Sequence, residues 1–211
     1  MTEVKRARKR GGRKHPLLRA VWQQAKLFLV VLTAYLVQVC IMPYVRIGSV
    51  TPSIIFPVLA IITVGLGRMR AVWAGTAFGI LLEFMQPSHV LFNLLIYPVA
   101  AIFGMLIFAD KTVQQLEYER GIGKPGRNAS PWLRTLLCTA ADTLVYETVN
   151  IVYFFVRGGE LSLQTFGRGF LDVFLSVLLA ALIMVPLRRF FGIRAAVDPG
   201  AVLRPTAYRR G

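Results

Sequence analysis

The residues best suited to chemistry are acids set in apolar sequence. In TLLCTAADTLVYETVNIVYFF, Thr135 to Phe155, the carboxyls Asp142 and Glu147 interrupt an otherwise greasy run. Paired carboxylates can act as general acid and base. On a helix, however, positions five apart differ by roughly 140°, so these two do not converge on one substrate. Other reactive side chains lack partners. His15 lies in a basic tract and His89 between apolar runs, and neither has the i+4 His with Glu that a metal site on a helix uses. Cys40 and Cys138 fall near opposite ends of different apolar runs, too far apart for a disulfide. Ser53 and Ser176 have no recognisable base nearby. The residue pattern therefore points to no catalytic residue, no metal and no cofactor, and the chain reads as a protein that is not an enzyme.

The acids acquire meaning on the helix that carries them. Stepping about 100° per residue from Asp142, residues Thr135, Thr139, Thr143, Tyr146, Glu147, Asn150 and Tyr153 share an arc of roughly 140°. Leu137, Leu144, Val145, Val149, Ile151 and Val152 fill the other side. An ionised acid at bilayer depth costs on the order of 2.5 to 3.5 kcal/mol, so Asp142 and Glu147 should face protein or water or else be protonated, and the amide of Asn150 shares their arc. Hydrogen bonds to neighbouring helices, a ligand cavity and a partner helix all remain open for this arc.

A second constellation lies in AVWAGTAFGILLE, where Ala71, Gly75, Gly79 and Glu83 recur every four residues and form one stripe. Without large side chains there, another helix can approach the backbone closely, as in small-xxx-small packing. The carboxylate of Glu83 then sits at the mouth of that contact, as a structural cap or as an interaction site. Asp172 follows Arg168 by four, a spacing that allows an ion pair on one helix face. Asp172 is read first as a solvated residue at the membrane interface, with a partner-binding or helix-packing role as the alternative.

These residues must be positioned by membrane helices. The 211-residue chain is 55% hydrophobic and only 17% charged, with a mean hydropathy of +0.58. Six spans are expected: Lys26 to Tyr44, Ser53 to Gly67, Ala71 to Met85, Val90 to Ala109, Trp132 to Val156 and Phe170 to Leu187. The second and third are short for a ~30 Å hydrocarbon core, which leaves tilt, extension by a few residues or a partly re-entrant path open for them. With both termini inside, 22 of the 25 Lys and Arg fall on the cytoplasmic side, as the positive-inside rule requires. This gives an all-α integral membrane protein with three parts: a basic tail over residues 1–25, a transmembrane domain over 26–187 with a cytoplasmic loop at 110–131, and a basic tail over 188–211.

The formal charge of +15 raises the question of nucleic acid. With this hydropathy, KRARKRGGRK at Lys5 to Lys14 is better read as a topology signal that attracts anionic lipids. No A-x-A-like site follows the first apolar run, so that run is expected to stay as a helix. Asp110 to Arg120 is expected to prolong the fourth helix, with GIGKPGRNAS as a turn. GIGKPG lacks the G-K-[ST] ending of a phosphate loop, and the Asn128 sequon, placed inside, is not expected to carry a glycan.

Several segments, taken in order, resemble the MreD family of rod-shape-determining membrane proteins. GTAFGILLE resembles that family's small-residue third span ending on an acid, where Asp is commoner than the Glu83 found here. TPSIIFPVLAII is similar to its proline-led second span, GLGRMRAVWAG to its basic connection, and LLIYPVAAIFGML to its fourth span. TAADTLVYE resembles the fifth span, and MVPLRRFFG the basic exit of the sixth. The likeness runs from Leu27 to Gly192; Ser53, in place of the family's frequent acid or amide, and the loop from Asp110 to Arg134 depart from it. The resemblance implies a non-enzymatic scaffold subunit of the bacterial cell-elongation machinery, multi-pass in the cytoplasmic (inner) membrane. Its implied partner is an MreC-like bitopic membrane protein, linked to MreB, RodA and a class B penicillin-binding protein. The family's six-helix fold also resembles the substrate-binding components of energy-coupling-factor transporters, which makes a subunit that binds a small vitamin-like molecule the alternative.

Overall fold

A computed structural model of the chain describes residues 16–48, 50–85, 91–109, 118, 121–122, 130–159 and 162–193. The tract Lys5 to Lys14, His15, His89, most of the 110–129 connection with Asn128, and the tail from residue 194 lie outside the described residues. Six α-helices occur among those described: α1 (Pro16–Cys40), α2 (Ile55–Leu66), α3 (Arg68–Met85), α4 (Phe92–Phe108), α5 (Pro131–Val156) and α6 (Leu163–Phe191). A 3-10 turn at Met42–Tyr44 and an isolated bridge between Ile47 and Val50 follow α1. Two stretches, Val21–Tyr44 and Leu163–Phe191, are long and apolar enough to cross a membrane, and α2 and α4 are shorter apolar helices.

Each expected apolar run falls on one helix, and the ends are set by local chemistry. α6 starts earlier than the expected Phe170 because Ser162 caps it, its hydroxyl accepting from the Thr165 N–H at 3.3 Å. It stops at Gly192, whose φ of 65° is the left-handed conformation that ends a helix, with Arg188 and Arg189 in the last turn. α4 ends at Phe108, with Ala109 extended; of the expected prolongation, Asp110 to Arg120, only Tyr118 lies among the described residues, and it is helical.

α2 is the axis of the bundle. At 12 residues it is only ~18 Å long, yet every residue from Ile55 to Val64 is buried. A helix that is apolar all round is buried in a protein core or in lipid, and here α1, α3, α4, α5 and α6 all pack against it. Its shortness in sequence is thus the mark of a core element.

Successive helices alternate in direction, so the bundle has a basic end and an opposite end. At the basic end Arg70 Nη2 donates to Gln23 Oε1 at 2.9 Å, and Lys26 Nζ donates to the Phe190 carbonyl at 3.1 Å. Arg134 donates from Nε and Nη2 to the Phe108 carbonyl, the last residue of α4. At the opposite end Gln38 Oε1 accepts from the Ile54 N–H at 2.8 Å, just where α2 begins.

Candidate functional site

The stripe of small residues on α3 faces α4 of the same chain. A Cβ placed on Gly75 would lie 2.8 Å from Ala101 Cβ and 2.9 Å from the Tyr97 carbonyl oxygen. One on Gly79 would lie 2.8 Å from the Asn93 carbonyl oxygen and 3.2 Å from Leu94 Cα. Ala71, fully buried, continues the same face. Glu83 Oε2 accepts the Asn93 N–H at 3.0 Å, in the first turn of α4. An acid therefore meets the N-terminus of α4 and the base Arg134 meets its C-terminus, each complementing the helix dipole. Glu83 is a cap supplied by the neighbouring helix, and the glycines are occupied by an internal contact.

The fifth run divides as its periodicity predicts. Thr135, Thr139, Asp142 and Thr143 are buried, whereas Leu137, Leu144, Val149 and Val152 are exposed. The three buried threonines donate to the carbonyls four residues back, so their hydroxyls are satisfied within α5. Asp142 is enclosed against α4: a Cβ on Gly104 would lie 2.7 Å from its Oδ1. Cys138 Sγ donates to Oδ2 at 3.5 Å, and Oδ1 has no partner. Among the described residues Asp142 makes no hydrogen bond to a neighbouring helix, one of the three readings open for its arc. A glycine on α4 makes room for the carboxyl instead.

A concavity with a volume of about 630 Å³ lies at the opposite end of the bundle. Its aromatic wall is formed by Phe56 of α2, Tyr97 of α4 and Tyr146 of α5. Phe56 stacks on Tyr97 with centroids 5.3 Å apart and meets Tyr146 at 5.2 Å. Gln38, Ser53, Asn93 and Asn150 add polar groups, and Arg46 and Arg168, both exposed, also line it.

Here the expectation for Asp172 is corrected. It is 7% exposed rather than solvated, because α6 turns it toward α2 and α5. Its carboxyl stands beside that of Glu147, within reach of the Ser53 backbone N–H. Gly169, one turn earlier on α6, faces Glu147, whose Oε2 would lie in ordinary contact, 3.5 Å, from a Cβ there. The two carboxyls are close enough to share one hydrogen bond, and Asp172 Oδ1 has no hydrogen-bond partner. The ion pair that the Arg168 spacing allows is not formed. Glu147 and Asn150 thus line a cavity, Asp142 is buried apart from it, and Ala71, Gly75, Gly79 and Glu83 build the wall between α3 and α4.

The pairing of Glu147 with Asp172 escaped sequence reasoning, as did the roles of Arg134, Phe56 and Tyr97. The one usable signal was Gly169, which shares a face with Asp172 at i−3 and marks close approach by another helix. No protein-family model, curated protein or solved structure matches the chain. The fold and its cavity stand on the geometry of this chain alone.

Proposed function

We propose that the protein is a multi-pass scaffold of the bacterial cytoplasmic membrane, a member of the MreD family that holds an MreC-like bitopic partner for the cell-elongation machinery. In this reading the chain crosses the membrane six times, with the short α2 enclosed by the other helices and both termini in the cytoplasm, which puts 22 of 25 basic residues inside. The observation that carries it is an apolar cleft of about 400 Å³ between α1 and α6, floored by Ile54 and Val58. Leu29, Thr33 and Val37 form one wall, and Ile183, Pro186 and Leu187 the other. The apolar lining, with the small Thr33 and Ala34 on α1, lets a further helix settle by close packing, and the internal glycine stripe is already filled. A photo-crosslinking amino acid at Leu29 or Ile183 should capture the MreC-like partner in native membranes, and one at Phe103, exposed on α4, should not. Capture of no elongation protein from the cleft positions overturns the reading.

The alternative, a substrate-binding component of a small-molecule transporter, is favoured by one observation, the polar cavity of about 630 Å³. That size falls within the range of small-molecule pockets. Uptake of a ligand that depends on the cavity, in cells whose shape is indifferent to loss of the protein, would favour it over the scaffold.

A further inference from the structure

We infer that the cavity at the opposite end of the bundle binds a compact zwitterion, a primary ammonium joined through a short linker to a phosphate. The inference goes beyond the scaffold reading and does not depend on it, because cavity and cleft are different surfaces. It shares its site with the transporter alternative but asks only for binding.

Charge within the cavity is layered. Asp172 is the buried acid, Glu147 is half-buried beside it, and the exposed Arg46 and Arg168 stand at the rim. The carboxyls of Asp172 and Glu147 lie within hydrogen-bond reach of each other, which requires a proton on one of them, and Asp172 Oδ1 has no donor. An ammonium group offers three donors in a small volume, enough to reach Asp172 Oδ1 and Glu147 together. The rings of Phe56, Tyr97 and Tyr146 lie on the same wall, and aromatic faces attract cations. The guanidiniums then meet the other end of the ligand, since Arg presents a planar fork that matches phosphate. Neither half of the site explains the other: a simple amine leaves the rim unused, and a simple anion leaves the buried acid without a donor.

The same chemistry is carried by a soluble phosphoamine and by a phosphatidylethanolamine headgroup. The test uses full-length protein in nanodiscs of phosphatidylglycerol, titrated calorimetrically with O-phosphoethanolamine, ethanolamine and inorganic phosphate. O-phosphoethanolamine should bind at least about tenfold tighter than either fragment. Loss of one charge-assisted hydrogen bond by Asp172→Asn, Glu147→Gln or Arg168→Gln should weaken it about tenfold or more, and Leu137→Ala, on the exposed arc of α5, should not. If Asp172→Asn does not fold, the two more exposed positions carry the test. Equal affinity for O-phosphoethanolamine and phosphate, or wild-type binding by folded Glu147→Gln and Arg168→Gln, overturns the inference. Adding phosphatidylethanolamine to the nanodiscs separates the sources: a lowered apparent affinity identifies the lipid headgroup, and an unchanged one the soluble zwitterion. Crosslinking from the cleft is scored separately, so failure of this site and failure of the scaffold reading are distinct results.

Discussion

Adding one methyl group at Gly79 should loosen the whole bundle. In Gly79→Ala the new Cβ would sit 2.8 Å from the Asn93 carbonyl oxygen and 3.2 Å from Leu94 Cα. Both are backbone atoms, so no side chain can rotate away, and α4 must move outward by roughly half an ångström to restore ordinary contact. Overpacking of this kind costs about 1–3 kcal/mol. The Gly-to-Ala gain in helix propensity, up to ~1 kcal/mol, offsets part of it. A net loss of about 1–2 kcal/mol corresponds to a fall in melting temperature of about 2–8 °C for a chain of this size. Gly167→Ala is the matched control, because no atom lies within 4 Å of a Cβ there, and it should melt at or above the wild type. Cys138 is buried and Cys40 exposed, so a thiol-reactive dye in a Cys40→Ser background reports opening of the bundle in detergent. The reasoning is refuted if Gly79→Ala melts as high as Gly167→Ala.

Three further outcomes are expected. Glu83→Ala, which leaves the Asn93 N–H at the start of α4 without its acceptor, should destabilise by about 1–2 kcal/mol in a denaturing-detergent titration, and Glu83→Gln, which keeps an acceptor, by less than half of that. Gly104→Ala should be costly alone, with Asp142 Oδ1 2.7 Å from the new Cβ, and cheaper in an Asp142→Ala background, the two coupling by about 0.5–3 kcal/mol in a double-mutant cycle. For the proposed topology, cysteines at the exposed Ile47 and Leu163, in a protein lacking Cys40 and Cys138, should react with an impermeant thiol reagent in intact cells. One at Ile122 should react only after permeabilisation; labelling of Ile122 in intact cells reverses the orientation.

Much of the site's construction was readable because it repeats along single helices. The spacing of Ala71, Gly75, Gly79 and Glu83 announces a close helix contact with an acid at its end, since four-residue steps stack on one face. The same periodicity separates buried Thr139, Asp142 and Thr143 from exposed Leu144 and Val152. What periodicity cannot supply is the identity of the facing helix. The stripe belongs to α4 and not to a partner because a six-residue connection between α3 and α4 keeps the two helices adjacent and antiparallel.

From composition and local pattern alone, then, came an all-helical chain with apolar runs in the right places, because hydropathy, small-residue spacing and helix caps act within a few turns. Tertiary structure alone decided that short α2 is the enclosed axis and that α1 and α6 part into a cleft. It also decided that Asp172, read as solvated, is buried beside Glu147. The reason is angular: one residue of rotation about a helix axis turns a side chain by about 100°. Whether an acid near a helix end meets water or another acid therefore depends on how α2, α5 and α6 are set against one another, and long-range packing sets that.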